Sequence, residues 1–191
     1  APVSRECEYY ESSLNGEQQP WLELIKNGSF PEVSPSAEPV SYVRAKAFRP
    51  ILEKACGKAG ASRWYALLQL GVHYYIYGEN DKARDAWTES VSECESAWAL
   101  RNLALLYRNE YGDTQKAADY IGRAVSLCGD CRAILTDCAK IYTDNGLDRE
   151  WLAIFENLPQ SLKSVGRLRL FKAIALLNIG EFGEAEKIIN K

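Results

Sequence analysis

The chain has 191 residues, with 23 Lys plus Arg against 26 Asp plus Glu, one His, six Cys and 47% hydrophobic residues, for a formal charge of −3. A chain of this length buries roughly 70% of its unfolded surface and has ordinary globular composition, which excludes a fibrous or disordered protein. Balanced charge removes the electrostatic footprint of nucleic-acid binding. The most apolar run, Trp64 to Tyr77, is interrupted by Gln69 and His73 and is shorter than the ~20 residues of a membrane span. Neither nucleic acid nor a membrane is therefore an expected partner, and a cytoplasmic location is expected.

In chain order, the sequence opens Ala1-Pro2-Val3 and contains no Met, from which a cleaved leader or a piece of a longer protein is expected. Ser4 to Leu14 reads as a short helix with Ser4 as N-cap, and Pro20 opens a second helix through Lys26. Asn27 to Pro39, with Pro31, Pro35 and Pro39 among Gly and Ser, is a loop. Val40 to Cys56 reads as a longer helix, bent or split at Pro50 and stopped at Gly57. Residues 1–60 are thus expected to form a helical cap or a degenerate repeat.

Beyond residue 60, Gly78, Gly112, Gly146 and Gly180 recur every 34 residues. Each lies between two stretches of helical apolar periodicity, as a left-handed helix stop does, so each period predicts a helical hairpin. Five residues after each Gly comes Ala83, Ala117, Trp151 or Ala185, three of them small enough for close helix approach. Trp64 and Trp98 keep the same period, as do Cys94 and Cys128. The dipeptides Asn15-Gly16, Asn27-Gly28 and Asn145-Gly146 would also suit β-hairpins. Around Asn145, however, Ile134, Leu135, Cys138, Ile141 and Tyr142 keep helical spacing, which makes Asn-Gly there a helix stop.

Catalytic groups are scarce. His73 is the only imidazole and adjoins the apolar face carrying Tyr74. No nucleophile pair, phosphate loop or dinucleotide fingerprint occurs, so no enzyme activity and no cofactor are expected. Cys128-Gly129-Asp130-Cys131 has the spacing of a zinc knuckle, but a closed site needs four ligands and no second knuckle is present. Reduced structural thiols, and no metal, are the expectation.

The units resemble the tetratricopeptide repeat family. The first reads Leu67, Leu70, Gly71, Tyr74, Gly78, Ala83, Trp87 and Ser90. The second reads Leu103, Ala104, Tyr107, Gly112, Ala117, Ile121 and Ala124, with one extra residue between Tyr107 and Gly112. Leu135, Cys138, Ala139, Tyr142, Gly146, Trp151, Phe155 and Leu158 form the third, and Ala173, Leu176, Gly180, Ala185 and Ile189 the fourth. The resemblance implies an all-α, right-handed superhelix of antiparallel helix pairs, with four units at about 61–94, 95–128, 129–162 and 163–191. Small residues at Gly71, Ala104, Ala139 and Ala173 are expected to let first helices pack closely.

The resemblance further implies a concave face, lined by first helices, that holds a peptide or partner domain. Carried across unit by unit, that face contains Tyr65 and Tyr75, then Trp98, Arg101, Arg108 and Asn109, then Lys140, and finally Arg167. It would grade from aromatic to basic and suit a carboxylate-bearing partner, with Trp98 and Tyr75 as stacking anchors. The family's chaperone-tail clamp is not reproduced, since Leu68, Val72 and Ala133 stand at three of its polar positions and only Asn102 coincides. A narrower resemblance, over Trp98 to Tyr107 and Glu150 to Pro159, is to the helical-repeat part of large bacterial proteins with an upstream β-sandwich. It implies an accessory role beside a carbohydrate-active domain, and a groove filled by a missing domain of the same chain.

Overall fold

The computed structural model describes residues 14–190, and no strand occurs among them. The helix expected at Ser4 to Leu14 falls almost wholly outside this range. Eleven α-helices are described: α1 (Gln19–Asn27), α2 (Arg49–Cys56), α3 (Arg63–Ile76), α4 (Asn80–Glu93), α5 (Ala97–Leu106), α6 (Thr114–Leu127), α7 (Arg132–Asp144), α8 (Asp148–Glu156), α9 (Gln160–Lys163), α10 (Gly166–Asn178) and α11 (Phe182–Ile189). From α3 onward they form antiparallel pairs: α3 with α4, α5 with α6, α7 with α8, and α10 with α11. Successive pairs stack through α4 on α5, α6 on α7, and α10 on both α7 and α8. This is the expected right-handed helical-repeat superhelix.

Gly78, Gly112, Gly146 and Gly180 all adopt left-handed backbone with φ between 64° and 85°, where a Cβ would be strained. In the first, third and fourth pairs the residue after the Gly donates its N–H back to Tyr74 O, Tyr142 O and Leu176 O, closing the bonding loop that ends a helix at a left-handed Gly. In the second pair Asp113 N–H reaches Tyr107 O, one residue further back, at 3.0 Å. The extra residue seen in the sequence is absorbed by a π-helical turn over Tyr107–Tyr111, a single-residue insertion that leaves the period of the Gly stops intact. Asp113 then caps α6 by accepting from Lys116 N–H, and Ser96 caps α5 by accepting from Ala99 N–H.

Ala83, Ala117, Trp151 and Ala185 are all fully buried, so the bulky Trp151 does not disrupt its pair. It forms a second core with Leu135, Ala139, Phe155, Leu168, Phe171 and Ala175. Val125, Tyr142 and Ile154 pack against both this core and the larger one that runs from α1 to α7, making the interior continuous. Gly71 acts differently from the expectation. A Cβ there would lie 2.5 Å from Trp87 Cδ1 and 2.8 Å from Cε2, so its bareness serves the approach of α4 to α3 within one pair. Trp87 Nε1 donates to Leu68 O at 3.1 Å, locking that approach.

The N-terminal block departs most from expectation. Pro20 and Pro50 both sit in the first turn of a helix, where a missing N–H costs nothing. Pro50 therefore starts α2 and does not bend a longer helix. Val40 to Ala45 has no regular secondary structure, Ala45 being extended, and only Lys46–Phe48 forms a short 3-10 turn. Side chains from elsewhere take the backbone groups that a helix would have used. Trp21 Nε1 donates to Ser41 O (2.9 Å), Tyr65 Oη accepts from Val40 N–H (3.1 Å) and Tyr77 Oη donates to Arg44 O (2.6 Å). His73, 1% exposed, places Nε2 3.4 Å from Ala45 O. The resulting strap, residues 31–45, is anchored at its start by Phe30, packed edge-on against Trp21 and Tyr65 at 5.1 and 5.0 Å. Helix α2 packs on α3, covering the end of the array.

A cleft between the strap and the first helices

The strap and three first helices enclose two adjoining cavities. One, of about 550 Å³, is lined by Glu17, Glu38 to Tyr42, Trp98 and Arg101. The next, of about 530 Å³, is lined by Glu38, Arg101, Cys131, Arg132, Ala133, Thr136, Asp137 and Arg167. Sharing Glu38 and Arg101, they form one cleft across α5, α7 and the start of α10. A further cavity of about 690 Å³ lies between α8 and α11. Its lysines are already paired, Lys163 and Lys172 with Glu156 and Lys187 with Glu184.

Each residue proposed from the sequence has a definite place. Tyr65 is 1% exposed, and its hydroxyl accepts from both Val40 N–H and Gln69 Nε2; burial raises its pKa above the usual phenol value. The strap covers it, so it is not presented to a partner in this conformation. Tyr75 is exposed and donates to Glu110 Oε1 at 3.1 Å. Burial of its hydroxyl and that carboxylate raise its pKa. Trp98 is buried beneath Arg101, whose guanidinium lies 5.4 Å over the ring. Its Nε1 has no hydrogen-bond partner, nor has Nδ2 of Asn102 one turn on.

The charge reading needs a larger correction. Arg101 Nε donates to Asp137 Oδ2 and Arg108 donates to Asp144 Oδ2, each at 2.6 Å across 36 residues, so α5 and the π turn that follows it are each joined to α7 by an ion pair. Lys140 also approaches Asp144, at 3.4 Å, and Asn109 Oδ1 accepts from Arg108 at 3.4 Å. Three of the four cations are thus offset by carboxylates on the same face. Arg167 is exposed and has no ion pair among the described residues. Arg132, which the sequence reading missed, joins it at the rim. The signal existed: Arg132 lies 34 residues after Trp98, as Trp98 does after Trp64. Tyr42 and Glu38 were hidden inside a stretch read as loop and helix. Burial raises the Tyr42 pKa, and the nearby Arg101 opposes that rise.

The arginines are chemically available. Arg101 and Asp137 are each about a quarter exposed. An incoming carboxylate can therefore reach the guanidinium from the cleft and replace Asp137, which turns to water as it is released. Arg167 and Arg132 offer planar donor sets suited to carboxylate. Among the described residues no group of three or more His, Cys, Asp or Glu is arranged to hold a metal, and no helix is long and apolar enough to cross a membrane. Cys56, Cys94, Cys128, Cys131 and Cys138 are unpaired. Cys7 lies outside the described residues.

Stacked antiparallel helix pairs closed by left-handed Gly stops make an α-helical repeat fold of tetratricopeptide-like architecture. Solved structures share that fold. A tetratricopeptide repeat protein from Parabacteroides merdae superposes with TM-score 0.64 at 21% identity over 90% of this chain, which spans 65% of that protein's length. The TPR-like repeats of a putative kinesin light chain from Podosopora anserina give 0.58 at 17% identity, covering 76% of this chain and 83% of the other. MamA protein gives 0.60 at 20% identity over 74% and 76%. No family model and no curated protein matches the sequence.

Proposed function

We propose that the protein is a non-catalytic interaction module that binds an extended, carboxylate-bearing segment of a partner protein on the face of helices α5, α7 and α10 that the strap borders. Residues 14–60 serve as the cap and strap, and residues 61–190 as the repeat array. The carrying observation is the convergence of Arg101, Arg132 and Arg167 on one open cleft, beside a buried indole whose N–H has no acceptor. Arg101 takes the carboxylate in exchange for Asp137, Arg132 and Arg167 steer and hold the remaining negative charge, and Tyr75, Arg108, Asn109 and Lys140 continue the contact surface. Steering of this kind raises the association rate and weakens with salt.

Arrayed 12-residue peptides test the reading. Retained sequences should be rich in Asp and Glu, lose affinity between 50 and 500 mM salt, and lose it about tenfold or more on Arg101→Glu or Arg167→Glu, since charged interface contacts contribute ~1.5–7 kcal/mol. Indifference to charge reversal would overturn the assignment. Trp98 is unsuitable for this test, because truncating a core Trp costs ~3–5 kcal/mol of stability.

A further inference from the structure

The strap is held as a groove holds a foreign peptide. Its backbone groups at Val40, Ser41 and Arg44 meet side chains of Tyr65, Trp21 and Tyr77, with no strand partner. Val33, Val40 and Val43 pack on the core, while most neighbouring strap residues remain exposed. Glu38 lines the same cleft as the three arginines.

We infer that residues 38–45, with their single carboxylate at Glu38, are a resident ligand of this groove, and that the partner is a segment that displaces them and delivers a carboxylate in the place of Glu38 to Arg101, Arg132 and Arg167. This rests on the function proposed above. Tethering holds the strap at an effective concentration of about 1 mM. A strap whose free counterpart binds at only ~100 μM is therefore docked about ten times as often as not. The apparent affinity of any competing segment falls by the same factor of about ten. Main-chain recognition makes the groove tolerant of partner sequence, and the carboxylate supplies selectivity.

The test uses a fluorescent peptide with the sequence of residues 36–46 and the full chain. Val40→Pro removes the N–H given to Tyr65 Oη, which keeps its bond from Gln69, and Val43→Ala trims a strap side chain packed on the core. Circular dichroism identifies which variant is folded, and either suffices. The peptide should bind the loosened variant about tenfold more tightly than the unmodified protein, and the Glu38→Gln peptide should bind the same variant several-fold more weakly. Equal affinity for loosened and unmodified protein would overturn the inference. So would failure of the strap peptide while an arrayed acidic peptide binds both proteins, a result that leaves the groove reading standing. Failure of both probes on both proteins would remove the two readings together.

Discussion

Gly71→Ala adds one methyl group to the interior of α3, where helix propensity alone favours Ala by ~1 kcal/mol. The structure predicts the opposite sign. The new Cβ would fall 2.5 Å and 2.8 Å from two atoms of the Trp87 ring, and Trp87 is 3% exposed with its Nε1 bonded to Leu68 O. The indole cannot retreat without breaking that bond. Overpacking costs ~1–3 kcal/mol, and an indole N–H left buried and unpaired costs ~1–3 kcal/mol more. With the ~1 kcal/mol propensity gain set against these costs, net destabilisation of about 3 kcal/mol follows, a fall in Tm of about 6–12 °C for a chain of this length. Gly183→Ala is the control, because nothing lies within 4 Å of its added Cβ; it should stabilise by up to ~1 kcal/mol of propensity, a rise in Tm of up to ~2–4 °C. Calorimetry of the two variants reads the difference directly. A neutral or stabilising Gly71→Ala would refute the close approach of α3 and α4.

Three further outcomes are expected. Gly146→Ala meets no atom within 4 Å but must hold φ near 69°, so it should cost ~1–2 kcal/mol from backbone strain alone, measurable by urea denaturation. Iodoacetamide followed by peptide mass mapping at pH 8 should label the half-buried Cys94, Cys128 and Cys131 in the native protein. It should spare Cys56 and Cys138, whose burial pushes both thiols up to about 12; labelling of Cys138 at the rate of Cys131 would contradict the packing of α7. On the acid side, the Lys172 ammonium lowers the Glu156 pKa and Lys116 lowers that of Asp113. These folded pKa values lie below the unfolded ones, so their contribution is complete above about pH 4–5 and is lost as pH falls through the folded values. Glu156→Gln should therefore flatten part of the acid limb of a Tm–pH curve and leave the neutral region nearly unchanged.

How far the sequence discloses such a molecule depends on whether a feature is local. The Gly stops are legible because a left-handed φ is a demand on one residue, repeated at a fixed interval. The insertion before Gly112 is legible for the same reason, though only the coordinates show that a π turn absorbs it. The strap was not legible. Val40, Ser41, Tyr42 and Val43 are only weak helix formers, a preference too slight to settle the segment by itself. It stays out of a helix because Trp21, Tyr65 and Tyr77 claim its backbone groups from 20 to 33 residues away. The apparent basicity of the groove misled in the same manner, since Asp137 and Asp144 meet Arg101 and Arg108 only through the stacking of α5 on α7. Arg132 kept the period of Trp64 and Trp98 but changed chemistry, and a search for like residues passes over it.

The most direct test is a nitrogen-15 NMR titration with an acidic peptide from the array. Among the tryptophans, Trp98 lines the cleft and its indole N–H has no acceptor; Trp21 and Trp87 already donate to backbone carbonyls, and Trp151, whose N–H also has no acceptor, is 0% exposed in the second core. The Trp98 resonance should move most among the indoles, together with the backbone signals of Arg101, Arg132 and Arg167. Shifts confined to α11, where Phe182 and Ile189 are 67% and 63% exposed, with the Trp98 indole unmoved, would place the binding surface elsewhere and contradict the cleft.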